Sequence, residues 1–261
     1  MITSTSSSQV KHVVQLQKKS KTRKEFLEFV VEGNKMVAEA PKDRVVKVYV
    51  SENFNNMNLD YIRELNIEDK KIEIVSDSVF MQMSDTKTPQ GVMAIVKMAQ
   101  YEVNDILGEN ALIIAVENLQ DPGNLGTILR MGEGAGITGV IMSSNTVDIY
   151  NPKTIRSTMG SIYRVPFFYA KDFNEELEQL KENGVKIYAA HLDGKNTYTQ
   201  ESYKNATAFL IGNEGNGLTD EITALADHKI KIPMKGKVES LNAAVSATIL
   251  MYETMRQREF M

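Results

Sequence analysis

The stretch Ala111-Leu112-Ile113-Ile114-Ala115-Val116-Glu117-Asn118-Leu119-Gln120-Asp121-Pro122-Gly123-Asn124-Leu125-Gly126-Thr127-Ile128-Leu129-Arg130 decides the fold. Its first six residues are continuously apolar, as in a short strand covered on both faces. A polar loop follows, with Asp121-Pro122-Gly123 as a turn signal. From Asn124 to Gly132 the pattern suits a helix. A buried strand, a polar loop and a helix in succession make one step of an α/β sheet.

Further along the chain the same alternation continues. Gly139–Met142, Lys186–Ala190, Ala208–Ile211 and Lys229–Ile232 read as strands. Phe173–Lys181 reads as an amphipathic helix stopped by Asn183-Gly184, and Ser240 is placed to cap a long helix running to about Gln257. Gly132-Glu133-Gly134-Ala135-Gly136 ends a helix before a strand, so it reads as a C-cap and αβ loop. The dinucleotide fingerprint needs the opposite order. The pattern predicts a mostly parallel sheet with helices on both faces.

Towards the N-terminus the chain reads as a smaller α/β unit. Val45–Val50, Ile72–Val75 and Gly91–Val96 suit strands, and Leu59–Leu65 suits a short helix. In Ser20–Ala40, Glu32-Gly33-Asn34 interrupts the pattern, so a strand or turn precedes a helix there. The segment from Lys97 to Asn110 is polar, with Gly108 near its end, and places the boundary between domains at 1–100 and 110–261.

Composition excludes several chemistries. With no cysteine among 261 residues there is no disulfide, thiolate metal site or cysteine nucleophile. His12, His191 and His228 are far apart, so no metal is expected. Neither a nucleophile elbow nor a P-loop motif occurs. Met1–Gln9 is polar and lacks the apolar core of a signal peptide, and no run of about 18 apolar residues occurs. A cytoplasmic protein is expected. The net charge of −4 argues mildly against a nucleic-acid partner. The distribution argues for one, because Lys11, Lys18, Lys19, Lys21, Arg23 and Lys24 all precede the first acid, Glu25. Such a run is either a phosphate-binding patch or a solvated helix face.

Ligands of parallel sheets bind beyond the carboxyl ends of the strands, and three loops rich in Gly, Asn or Pro sit at such ends. In Glu117–Gly126, Asn124 can cap the next helix, and Arg130, six residues on, can share its face; the plain alternatives are a cap and a surface charge. In Leu210–Leu218, three glycines let backbone approach a ligand, and Glu214 has nothing obvious to pack against; the plain alternative is a turn before a helix capped at Thr219. In Ile232–Val245, a basic loop runs into a helix start with Ser240 and Asn242 at its mouth.

Taken together and in order, Asn118–Arg130, Leu210–Leu218 and Ile232–Asn242 closely resemble the SpoU/TrmH family of RNA ribose 2′-O-methyltransferases, in the SPOUT superfamily. Phe29-Val30-Val31-Glu32-Gly33 and Thr86-Lys87-Thr88-Pro89-Gln90-Gly91-Val92 resemble that family's substrate-binding domain. The resemblance implies a trefoil knot in the C-terminal domain and a ribosomal-protein L30e-like N-terminal domain. It implies S-adenosylmethionine bound in the knot without metal, and a homodimer formed through the C-terminal domain. Carried over by position, the catalytic set is Asn124, Arg130, Glu214, Ser240 and Asn242. The cofactor would be lined by Leu210, Gly212, Asn213, Glu214, Gly215, Ile232, Met234 and Leu241. RNA contacts are expected from Lys18, Lys19, Lys21, Arg23 and Lys24, with ribosomal RNA favoured over transfer RNA. The alternative is a non-catalytic RNA-binding protein that keeps the scaffold. The chain departs from the family at Glu25-Phe26-Leu27-Glu28, where relatives often carry a shorter basic-glycine run.

Overall fold

The structure is a computed structural model and describes residues 1–260. The chain divides into two compact units. One is Met1–Ala99 together with Tyr150–Tyr163, and the other is Gln100–Ile149 together with Arg164 onward.

The first unit runs α1 (Ser8–Lys18), α2 (Ser20–Phe26), β1 (Glu28–Glu32), α3 (Asn34–Ala38), β2 (Val45–Ser51), α4 (Glu52–Met57), α5 (Leu59–Glu64), β3 (Ile72–Val75), α6 (Asp77–Met83) and β4 (Val92–Lys97). Its sheet has the order β1-β4-β2-β3, with β4 antiparallel to both neighbours and β3 parallel to β2. Apolar positions of α1 at helical spacing (Val10, Val13 and Leu16) pack with Val30, Tyr49, Val75, Phe80 and Met93 in one core.

The interruption at Glu32-Gly33-Asn34 resolves into β1, a turn with Gly33 at φ +100°, and α3. The run of basic residues is helical, and one of its members is turned inward. Arg23 is 4% exposed. Its Nη1 donates to the Leu16 carbonyl at 2.6 Å and the Gln17 carbonyl at 3.0 Å. A buried guanidinium needs acceptors, and the free carbonyls at the end of α1 supply them. The expectation that Arg23 contacts RNA is therefore corrected, while Lys18, Lys19, Lys21 and Lys24 are exposed.

The second unit holds β5 (Leu112–Val116), α7 (Pro122–Ala135), β6 (Gly139–Met142), then, beyond the α8 segment (Pro152–Thr158), β7 (Phe167–Tyr169), α9 (Phe173–Glu182), β8 (Lys186–Ala190), β9 (Asn196–Thr197), β10 (Thr207–Ile211), α10 (Asp220–Ala224), β11 (His228–Lys231) and α11 (Ala243–Phe260). Sequence reasoning placed residues 110–261 in one domain, but α8 and its flanks pack with the first unit. There Tyr150 lies 4.7 Å from the Phe29 ring, and the Tyr163 hydroxyl donates to the Met36 carbonyl at 2.8 Å.

All pairings in the seven-stranded sheet are parallel, in the order β7-β6-β5-β10-β8-β11-β9. From β5 the chain steps outward through β6 and β7. It then returns to build β8 and inserts β10 beside β5, with Ile211 opposite Val116. The direction of winding reverses between β5 and β10, which opens a crevice at their carboxyl ends. The core beneath joins Ile113, Ala115, Ile141, Leu177, Leu180, Ile187 and Leu210.

Candidate active site

The loops after β5 and β10 are fastened side by side because their strands are neighbours. Glu117 is 5% exposed, and its carboxylate accepts the Thr219 N–H and hydroxyl, both at 2.8 Å. The Asn118 carbonyl accepts from Asn213 Nδ2 at 2.8 Å and from Gln120 Nε2 at 3.0 Å. Thr219 caps α10 as expected, accepting from Ile222 N–H.

Glu214 crosses from the second loop to the first. Its carboxylate accepts the Gln120 N–H at 3.1 Å, the Asp121 N–H at 3.0 Å and Asn124 Nδ2 at 2.9 Å. Partial burial pushes the Glu214 carboxyl pKa up, but the Asn124 side chain and the backbone N–H groups outweigh it and hold the group below the usual carboxylate range. Asn124 in turn accepts from Asn242 Nδ2 at 2.9 Å. Asn242, Asn124 and Glu214 thus form one hydrogen-bonded relay that joins the third loop, the helix after the first and the second loop.

The caps differ from expectation. Asp121, not Asn124, caps α7, accepting the Asn124 N–H at 2.9 Å, with Pro122 suited to the first helical position. Asn242, not Ser240, caps α11, accepting the N–H groups of Ala244 at 2.9 Å and Val245 at 3.3 Å. A residue's rank as a cap does not fix where the first turn begins, and at both helix starts a second cap-forming side chain lies within three residues.

Beyond the carboxyl ends of β8, β10 and β11 lies a cavity of about 410 Å³. Gly212, Asn213, Glu214, Gly215, Ile232, Met234, Ser240 and Leu241 line it. Leu210 does not: it is fully buried in the core below, and its strand neighbour Ile211 faces the cavity instead, as alternation along a strand requires. Gly212 is needed for the loop's own closure. A Cβ there would stand 2.2 Å from the Gly217 carbonyl carbon, where the loop folds back in mutual hydrogen bonds between Asn213 and Gly217.

Sequence reasoning missed His191, Leu192 and Asp193 at the end of β8, and Glu239 and Ser246, all of which line the cavity. The first three follow a parallel strand and precede Gly194, the same signal that marked the other loops. His191 Nδ1 accepts the Asp193 N–H at 3.1 Å.

Arg130 is apart from this network. It lies exposed on α7, does not line the cavity, and has no hydrogen bond or ion pair among the described residues. Six residues turn a helix through about 600°, which leaves Arg130 some 120° around from Asn124, not on one face with it. Among the described residues no group of His, Asp and Glu is placed to hold a metal ion.

The cavity is thus walled by the loops after β8, β10 and β11, and the relay through Glu214, Asn124 and Asn242 ties that wall to the helix after β5. Residues 111–252 match the SpoU rRNA Methylase family, and residues 7–94 match the MRM3-like substrate binding domain. The chain belongs to the SpoU rRNA methylase family. It is 31% identical over 239 residues to the 23S rRNA (guanosine(2553)-2'-O)-methyltransferase RlmP of Bacillus subtilis, spanning 90% of this chain and 92% of that one. It resembles the crystal structure of the SpoU methyltransferase AviRb from Streptomyces viridochromogenes in complex with AdoMet, with TM-score 0.86, 26% identity and coverage of 97% and 98% of the two chains. The AdoMet-bound rRNA methyltransferase from Sinorhizobium meliloti matches with TM-score 0.83 and 28% identity over 100% of this chain and 98% of that one.

Proposed function

We propose that this protein transfers a methyl group from S-adenosylmethionine to a ribose 2′-hydroxyl of ribosomal RNA. The observation that carries the reading is the relay Asn242–Asn124–Glu214, which ties the cavity's wall to the start of α7. Of the similar proteins named above, the Bacillus subtilis relative is a 23S rRNA 2'-O-methyltransferase, and the Sinorhizobium meliloti structure is an rRNA methyltransferase solved with AdoMet.

The cavity suits that cofactor. Ile211, Ile232, Met234 and Leu241 offer apolar surface, and the Gly212–Gly217 backbone offers polar groups for a heterocycle's edge. Asp193 and Glu239 put carboxylates at the lining, which favours a ligand carrying positive charge. Bound there, S-adenosylmethionine supplies a methyl group already activated on a sulfonium, so the chain's task is to align the hydroxyl and accommodate its proton.

Arg130 is the residue for that task. With a pKa above about 12, arginine is a poor base. Its fork instead holds a substrate phosphate bidentately, and the phosphate shares the hydroxyl proton. Freedom from protein partners supports this role. Asn124, gripped by Glu214 and Asn242, orients the ribose, and Ser240 borders the cavity mouth. Lys18, Lys19, Lys21 and Lys24 provide phosphate contacts on the first unit.

The active form is a homodimer through the second unit. In support, Val245 and Tyr252 are 47% and 39% exposed on α11, and their spacing of seven residues puts them on one face. The second unit is a trefoil knot; the insertion of β10 beside β5, with Asn242 reaching back to Asn124, supports this. Among the described residues no helix is long and apolar enough to cross a membrane, and the reading places the protein in the cytoplasm with its substrate. Incubating the protein with S-adenosylmethionine and unmodified ribosomal RNA, then analysing nucleosides by mass spectrometry, tests the function. A 2′-O-methylnucleoside is expected; methyl on transfer RNA alone would move the target.

A further inference from the structure

The corner where α2 ends carries an exposed aromatic ring among lysines. Phe26 is 51% exposed and Leu27 is 46% exposed. Leu27 caps α2 at φ +53°, a left-handed conformation that favours glycine. Its position is held by its own N–H, which donates to the Arg23 carbonyl, and by its carbonyl, which accepts the Met98 N–H at 2.8 Å. The Phe26 ring is braced as well. His12 meets it edge-on, with centroids 4.7 Å apart and planes at 72°. His12 Nε2 donates in turn to Glu28 at 2.8 Å. Arg23 stiffens the corner from inside by holding the last carbonyls of α1.

The surroundings are cationic. Lys18, Lys19, Lys21 and Lys24 are exposed at the end of α1 and along α2, and Glu25 is the single acid between Lys18 and Leu27. An apolar ring held still, with an open side and lysines on the preceding turns of the same helix, combines the two features that bind unpaired nucleic acid: a stacking surface and phosphate partners.

We infer that Phe26 is a stacking platform for an unpaired base of the RNA substrate, with Leu27 beside it and Lys21 and Lys24 holding adjacent phosphates. The inference rests on the RNA-methyltransferase reading and adds to it a means of choosing single-stranded over duplex segments. Duplex bases are already stacked on one another and offer no free face to the ring.

The experiment uses the full-length protein and two fluorescein-labelled probes, a 12-nucleotide oligoadenylate and a 12-base-pair RNA duplex. Phe26→Leu keeps apolar bulk and removes the ring; Phe26→Tyr keeps the ring. Phe26→Leu is expected to weaken oligoadenylate binding by about tenfold with an unchanged salt slope, leaving duplex binding alone. Phe26→Tyr is expected to bind as the wild type does. Lys21→Ala with Lys24→Ala is expected to lower the salt slope on both probes. Oligoadenylate binding by Phe26→Leu within twofold of wild type overturns the inference. So does an equal loss on both probes, or a loss that tracks disrupted self-association, which would make the corner a contact between copies. If wild type still methylates ribosomal RNA in those cases, only the platform fails. If wild type binds neither probe and transfers no methyl group, the RNA reading falls with it.

Discussion

At the scale of single residues, the site depends on a carboxylate gripped by three donors. Glu214 accepts three hydrogen bonds from the first loop and α7, so it is a fastener, and its lowered pKa makes it a weak base for proton abstraction. Glu214→Ala should lower cofactor affinity and turnover together, because the loop it holds also walls the cavity. Calorimetry and single-turnover assays would show both. The sign of its pH dependence follows from its lowered pKa. A carboxyl depressed in the folded state contributes stability that is present above the unfolded value of about 4.3 and lost as pH falls through the lower folded one. The gap in melting temperature between wild type and Glu214→Gln should therefore be widest near neutrality and close in acid. A gap independent of pH would refute the assignment. Arg130 is the opposite case, a cation with no protein partner among the described residues. Arg130→Ala should abolish methyl transfer while cofactor affinity stays near wild type, since an interaction made only in the transition state affects turnover alone. Arg130→Lys should fail too, since a point charge does not replace the planar fork. Lost cofactor binding would make Arg130 structural.

At the scale of elements, α11 is held at both ends. Asn242 caps its start and links it to Asn124, so Asn242→Ala should cost about 1 kcal/mol of stability from the cap, with a larger loss of activity. Near its other end Arg258 donates to the carbonyls of Tyr203, Asn110, Ala111 and Asn205. Those carbonyls all precede the amino ends of β5 and β10, so one side chain ties the last helix under two central strands. Arg258→Ala should destabilise by about 2–4 kcal/mol in urea titration, because several acceptors lose a charged donor. The strands β5, β6, β8 and β10 were readable because each is a short, largely apolar run between polar loops; Gly139–Met142 and Lys186–Ala190 match residue for residue. What the sequence did not disclose was set by tertiary partners. β7 is three residues long, too short for a periodic signal, and exists by pairing with β6. The starts of α7 and α11 each offered two capping residues, and which one caps depends on where the preceding loop delivers the chain.

At the scale of the whole molecule, the three loops were legible in the order of the motifs, but the cavity was legible only in part, because the loop after β8 lines it and the first loop does not. The wiring of the loops was not. Nothing local tells that Glu214 reaches Gln120 or that Asn242 reaches Asn124, since those bonds span 94 and 118 residues and depend on β10 lying beside β5. Arg23 was misread for the same reason: a cation in a basic run looks exposed until the end of α1 is seen to lie against it. Association is the remaining whole-molecule property. Tyr252→Arg should convert the proposed homodimer to monomer in sedimentation velocity, with turnover falling alongside; an unchanged dimer would place the interface elsewhere. The central claim, methyl transfer to a ribose hydroxyl, is tested most directly by mass spectrometry of nucleosides from ribosomal RNA incubated with S-adenosylmethionine and either wild type or Arg130→Ala. The account predicts one 2′-O-methylnucleoside with wild type and none with the variant. A base-methylated product, or no methyl transfer by a folded, cofactor-binding wild type, would contradict it.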